Sequence, residues 1–307
     1  MDHGLARVDG LPGFVVIGAQ KSASTFLQEQ MAQHPDVEII PGEVRTFEDP
    51  WYSPQSVADL PSLFEGPPSL VRGIKRPDYL GRPDVTERLA RHLPDATLLV
   101  VLREPIARAV SAYYHYVRHG FAPLVPINEA FSTLLDEKMA GHPRAPEILD
   151  YGLYGKHLRR IQERFGRDQV VIFDQRPLTR DPGPSLRRAF TAIGVDPEFT
   201  PVRPDRVSNR GVYSPVRLRV LRTKNRRLYR YAPDLSLREP RKPSPAGWAY
   251  NAAVVAVDRL ILSRIDPGHP AELTPEVRGR LQAYYRADAE LLREALEGSG
   301  VEPDWLS

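Results

Sequence analysis

The run Thr97-Leu-Leu-Val-Val-Leu102 constrains the fold more than any other stretch of the chain. From Leu98 it is continuously apolar, as a parallel strand buried on both faces should be. Such a strand needs helices on either side of its sheet, and the surrounding sequence supplies them. Gly13 to Gly18, Val37 to Ile40, Val71 to Ile74 and Gln169 to Phe173 read as further strands. Helical patterns fall between them: about Ser24 to Gln33, stopped by Pro35; Pro83 to His92; Pro105 to about Arg118; Tyr151 to Phe165; and Ser185 to Ile193, closed by Gly194. The alternation predicts a three-layer, P-loop-like α/β fold: a central parallel sheet flanked by helices, with right-handed crossovers.

After Gly211 the pattern changes to a helical C-terminal region. Residues 217–245 are basic and punctuated by proline. Residues 247–265 read as a moderately apolar helix, and Thr274-Pro275-Glu276 opens a closing helix that runs to Glu297. With 307 residues we expect one large domain, preceded by an extension over 1–12 and carrying a variable segment at 215–270 as a candidate cover for the substrate.

Charge and composition exclude several functions. Lys and Arg number 42 against 39 Asp and Glu, so the chain has no global nucleic-acid-binding character. A local basic cluster does stand out, with six Arg and one Lys between Arg217 and Arg230. It reads as a solvated helix face ahead of an attractor for an acidic acceptor. The absence of cysteine rules out disulfides and thiolate metal sites. The N-terminus has no secretory pattern and no apolar stretch approaches the ~20 residues of a membrane span. A cytoplasmic location without a transmembrane segment is expected. For residues 247–265 core packing is the favoured reading, with peripheral membrane contact as the rival.

Two segments carry chemistry. Phe14 to Ile17 ends at Gly18, and Lys21, Ser22, Ala23, Ser24 and Thr25 lead into a helix, which is the order strand, phosphate loop, helix. Backbone N–H groups at the helix start, its dipole and the Lys21 ammonium can converge on one anion. A nucleotide-triphosphate loop would read G-x-x-x-x-G-K-[ST]; this loop is shorter, with Lys21 three residues after Gly18, and it lacks the second glycine. The second segment ends the Thr97–Leu102 strand with Arg103 and places Ser111 in the helix that follows. Strand carboxyl ends are where open α/β sheets bind ligands, and arginine plus serine suits a phosphate.

Together the two segments resemble the phosphosulfate-binding and 3′-phosphate-binding motifs of PAPS-dependent sulfotransferases, in the branch with the heparan sulfate enzymes and bacterial carbohydrate or natural-product enzymes. The family pattern I-G-x-x-K-x-G-T/S-T/S-x-L is met by Lys21, Ser24, Thr25 and Leu27, with Ala23 in place of the glycine. L-R-x-P-x-x-R-x-x-S-x-Y is met by Leu102, Arg103, Pro105, Arg108, Ser111 and Tyr113. Pro41 to Glu48 resembles K-E-x-H-F/Y-F-D, with Glu43 on the glutamate, Gly42 for the lysine and Arg45 for the histidine. Gly73 to Leu80 resembles G-E-K-S/T-P-x-Y-L, which puts Lys75 on the lysine.

The resemblance implies sulfuryl transfer from PAPS to a hydroxyl of a carbohydrate, natural product or lipid, without a metal. It implies that Lys21, Ser22, Ala23, Ser24, Thr25 and Phe26 bind the phosphosulfate, and that Arg103 and Ser111 bind the 3′-phosphate. Arg210, or its rival Arg206, would join them. Lys21, Glu43 and Lys75 are the implied catalytic set, with Glu43 as base. The alternatives are a P-loop kinase, for which Asp174 is the one acid just after a buried strand, and a nucleotide-binding protein without turnover. His115 and His119, one helical turn apart, read as packing or surface residues ahead of metal ligands. Residues 46–72, 120–150 and 215–270 resemble the family least, and acceptor specificity is expected there.

Overall fold

The computed structural model describes residues 10–139, 141–202, 211–242, 244–266 and 268–306. In chain order the main elements are β1 (Phe14–Gly18), α1 (Ser24–Met31), β2 (Val37–Ile39), β3 (Val71–Lys75), α2 (Pro83–His92), β4 (Thr97–Leu102), α3 (Pro105–His119) and α4 (Ile127–Leu135). There follow α5 (Tyr154–Phe165), β5 (Val170–Asp174), α6 (Gln175–Arg180), α7 (Pro182–Ile193), α8 (Pro215–Leu228), β6 (Tyr229–Tyr231), β7 (Arg238–Pro240), α9 (Pro245–Val257) and α10 (Pro275–Leu296). The chain divides into two compact units. One comprises Met1–Glu104, Leu153–Asn209 and Asp288–Ser307; the other comprises Pro105–Gly152 and Arg210–Ala287.

The first unit holds the sheet, in the order β2-β3-β1-β4-β5 with every pairing parallel. Val15 stands opposite Ile74 on one side and Leu98 on the other, and Leu99 opposite Val171. Because side chains alternate across a strand, the apolar runs fill two cores at once. Val15, Ile17, Leu98, Val100 and Ile172 pack with Val85 and Leu89 of α2 and Leu158 and Ile161 of α5. Phe14, Val16, Leu99, Val101 and Phe173 pack with Phe26, Leu27 and Met31 of α1 and Leu186 and Phe190 of α7. Each such side chain contributes about 1.5–3 kcal/mol when fully buried.

After β1 the chain turns toward β2, whereas after β4 it turns toward β5. Neighbouring strands whose connections leave in opposite directions open a crevice at their carboxyl ends. The loop after β1 and Arg103 after β4 lie at those ends. Asp174 closes β5 and accepts a hydrogen bond from the Arg176 N–H, which makes it the N-cap of α6.

The second unit is helical, with an antiparallel ribbon of β6 and β7 that no turn or alternation signal in the sequence had suggested. Asn225 of α8 donates to the Arg118 carbonyl of α3 at 2.8 Å. Arg217 pairs with Asp258 at 2.8 Å, and Lys224 is buried, so the basic cluster is only partly a solvated face. Arg108 is fully buried and donates to the Ile148 carbonyl, while its Nε and Nη1 have no hydrogen-bond partner among the described residues. No residue of α9 is buried, which overturns the expectation that this segment packs in a core. His115 and His119 stack edge to face at 4.4 Å.

Candidate functional site

The loop after β1 begins where a side chain is sterically excluded: a Cβ on Gly18 would come within 2.7 Å of Leu80. The Ala19 N–H is tied to the Val101 carbonyl at 2.8 Å, and the Ser22 N–H turns back to the Ala19 carbonyl at 3.2 Å. Lys21 and Ala23 both take left-handed backbone conformations, with φ of 70° and 71°. Ala23 is also the N-cap of α1 and, being alanine, has no side chain to cap it. The first N–H groups of the helix therefore look to the loop for an acceptor, and their dipole favours an anion. Ser22 is fully buried, and its hydroxyl has no hydrogen-bond partner among the described residues. These features fit a phosphate cradle.

Two cations from other strands reach this loop. Lys75, the last residue of β3, donates from Nζ to Thr25 Oγ1 at 3.0 Å. Burial pushes its ammonium below the ordinary lysine value; Glu43 and Glu29 oppose the fall and Arg76 adds to it. Arg103, just beyond β4, donates from Nη1 to the Lys21 carbonyl at 3.1 Å. Its backbone is held by Tyr154, whose hydroxyl donates to the Arg103 carbonyl at 2.8 Å. Sequence positions 21, 25, 75 and 103 thus converge at one end of the sheet.

Glu43 enters through a partner that sequence reasoning missed. Its Oε2 accepts from Arg76 Nη1, and Arg76 also donates to both oxygens of Glu48 and to Asp78 Oδ2 at 2.9 Å. Gln20, in the loop, donates to the other Asp78 oxygen at 3.0 Å. Arg76 is only 5% exposed. Burial works against its charge, but Asp78, Glu48 and Glu43 outweigh that and raise its pKa further above the ordinary value. Glu43 remains partly open to solvent on the far side of the ion pair, oriented but accessible. The available signal was the string Lys75-Arg76-Pro77-Asp78 at a strand end, in which only the lysine had received a role.

The segment carrying Glu43 is fastened from several sides. Gly42 has φ +84°, a conformation that costs a lysine far more than a glycine. Gln28 of α1 donates to the carbonyls of Ile40 and Gly42 at 2.7 and 3.1 Å. The Val44 N–H bonds the Lys75 carbonyl at 3.0 Å, and the Tyr79 hydroxyl donates to the Val44 carbonyl at 2.7 Å. Arg45 lies over the Trp51 ring at 4.7 Å and points to packing. Ser111 sits within α3 of the second unit and is buried. Arg206 and Arg210 lie outside the described residues.

The five-stranded parallel sheet with helices on both faces is an α/β fold of the P-loop-like class. A solved sulfotransferase from Alicyclobacillus acidocaldarius has the same fold, with a TM-score of 0.61 and 22% identity over 93% of this chain and 96% of that one. Among curated proteins, the chain is 27% identical over 187 residues to the heparan sulfate glucosamine 3-O-sulfotransferase 3A1 of Mus musculus. It is 26% identical over 208 residues to the bifunctional heparan sulfate N-deacetylase/N-sulfotransferase 1 of Caenorhabditis briggsae. These alignments take in 60% and 62% of this chain but 46% and 23% of the relatives, so the chain spans at most about half the length of either. No family model matches. On sequence and fold together, the chain is similar to sulfotransferases.

Proposed function

We propose that the chain moves the sulfuryl group of 3′-phosphoadenosine-5′-phosphosulfate to a hydroxyl acceptor, a saccharide or a smaller natural product or lipid. The observation that carries this reading is the contact of Lys75 with Thr25, made at the end of the phosphate-type loop in the first turn of α1, with the carboxylate of Glu43 near enough to act on the ammonium. In the proposed step an acceptor oxygen forms a bond to sulfur as the bond from sulfur to the bridging phosphate oxygen breaks. The acceptor proton passes to Glu43, and the departing electron pair stays on the 5′-phosphate. Such transfer asks the protein mainly for position and charge, by analogy with phosphoryl transfer.

In this assignment Lys21, Lys75 and the backbone from Ser22 through Ala23, Ser24 and Thr25 to Phe26 bear the phosphosulfate. Arg103 binds the 3′-phosphate, and Ser111 and Arg210 join it on the strength of the family motif alone. Arg76 positions Glu43. A screen of saccharides, phenols, lipids and natural-product scaffolds with radiolabelled donor tests the transfer. Calorimetric binding of adenosine 3′,5′-bisphosphate with a metal chelator present tests the donor site. Tight binding with label transfer is expected; binding only of a nucleoside triphosphate, and only with magnesium, would overturn the assignment.

A further inference from the structure

The second unit carries a helix with an apolar stripe left open to solvent. Along α9 and the helical turn after it, Trp248, Ala249, Ala252, Ala253, Ala256, Val257, Leu260 and Ile261 recur at helical spacing, and all are exposed. Trp248 is 75% exposed, Leu260 58%, Ile261 50%, and Ile265 just beyond 76%. The less exposed side carries Tyr250, Asn251, Val254, Val255 and Leu262, half-buried, together with Asp258, which is buried against Arg217 of α8 with contacts at 2.8 and 3.1 Å. The ion pair thus anchors the helix with its apolar stripe pointing into solvent. A contiguous apolar stripe of this kind marks an interaction surface.

Charge selects the occupant. From Ser244 to Asp266 the only exposed ionisable side chains are Arg259 and Arg264, among the described residues. α8, packed beside α9, contains no carboxylate and exposes Arg219, Arg226 and Arg227, the last stacked on Tyr250 of α9 at 5.1 Å. In and beside the adjoining ribbon the exposed charges are Arg230, Arg241 and Lys242 against Asp234 and Glu239. An apolar stripe bordered by arginine, with a tryptophan at one end, has the character of a helix that lies in a membrane interface. Two copies pressed together through this face would bring like charges into contact. No helix among the described residues is long and apolar enough to cross a bilayer.

We propose that α9 and the turn that follows it dock the protein on the surface of a membrane rich in anionic lipid, with Trp248, Leu260, Ile261 and Ile265 entering the headgroup boundary and the arginines contacting lipid phosphates. The test is flotation of the full chain with vesicles of phosphatidylcholine alone or mixed with phosphatidylglycerol, alongside light scattering of the lipid-free protein. Binding to the mixed vesicles should exceed binding to the neutral ones by about tenfold or more. The Leu260→Asp, Ile261→Asp double variant should lose binding while its melting temperature holds, because neither side chain is buried. The Arg259→Glu, Arg264→Glu variant should lose the preference for anionic lipid. No flotation on either vesicle, flotation indifferent to both variants, or a dimer that the aspartate variant splits would each overturn the proposal, the last by making a second copy the occupant.

Discussion

Lys75 Nζ and Thr25 Oγ1 meet at 3.0 Å across 50 positions of sequence, and both belong to the sheet-bearing unit. Lys75 is almost wholly buried, which costs stability, yet its hydrogen bond is to the Thr25 hydroxyl in the first turn of α1 and not to a carboxylate. A buried charge held this way suits a ligand more than it suits the fold. Replacing Lys75 with Met should lower transfer by about 10²–10³-fold. The melting temperature should stay level or rise, and calorimetry against the assay will separate the two effects. A variant that loses both in parallel would mark Lys75 as a structural residue.

The same lysine sets a pH dependence. Its folded pKa lies below 10.5, so over the interval between the two values the unfolded chain holds more protons than the native one. Stability then increases as pH rises through that interval and falls as pH drops through the folded value. Donor binding moves the opposite way, because a neutral amine no longer offsets phosphate charge. Parallel pH series of denaturant unfolding and bisphosphate binding should diverge in this way, and Lys75→Met should flatten both.

Arg76 and Glu43 share an ion pair but should respond differently to mutation. Arg76→Ala leaves Glu48 and Asp78 buried without their cation and should cost about 3–5 kcal/mol. Glu43→Gln keeps a polar group against the guanidinium at a partly exposed position. It should change stability little and lower kcat by about 10²–10⁴-fold, with bisphosphate affinity intact. Chemical denaturation and steady-state kinetics on the two variants decide the matter.

Ala23 occupies a left-handed conformation in which its Cβ crowds the following carbonyl. Ala23→Gly should relieve that strain and, after the added freedom of the unfolded chain, gain up to about 1 kcal/mol. The change restores the family residue, so donor affinity should hold or tighten. Urea midpoints and calorimetry provide the measure.

The parallel sheet was legible because its strands are short, continuous and apolar, and the expected strands and helices of the first unit fall within a few residues of the observed ones. The β5 strand, expected at Gln169 to Phe173, runs from Val170 to Asp174. The helix expected from Tyr151 begins at Tyr154, after a separate turn at Glu147–Asp150. The β6–β7 ribbon escaped notice because three-residue strands rich in arginine and proline carry no alternation. The outward face of α9 could not be read either, since the hydrophobic period of a helix states that a stripe exists and not which way it points.

From sequence alone came the strand–loop–helix order, the basic and hydroxyl residues along it, and the arginine at the end of β4. These are local matters, set by side-chain period and by the residues that can start or stop a helix. Tertiary structure decided the partnerships: Arg76 gathering Glu43, Glu48 and Asp78, Lys75 reaching Thr25, and Arg103 bonding the Lys21 carbonyl. It also decided that Ala23 and Gly42 sit in left-handed backbone, where one departure from the family pattern brings strain and the other relieves it. The reason is physical. Parallel strands adjacent in the sheet are separated in sequence by whole crossover helices, so groups that share a hydrogen bond leave no local trace of each other.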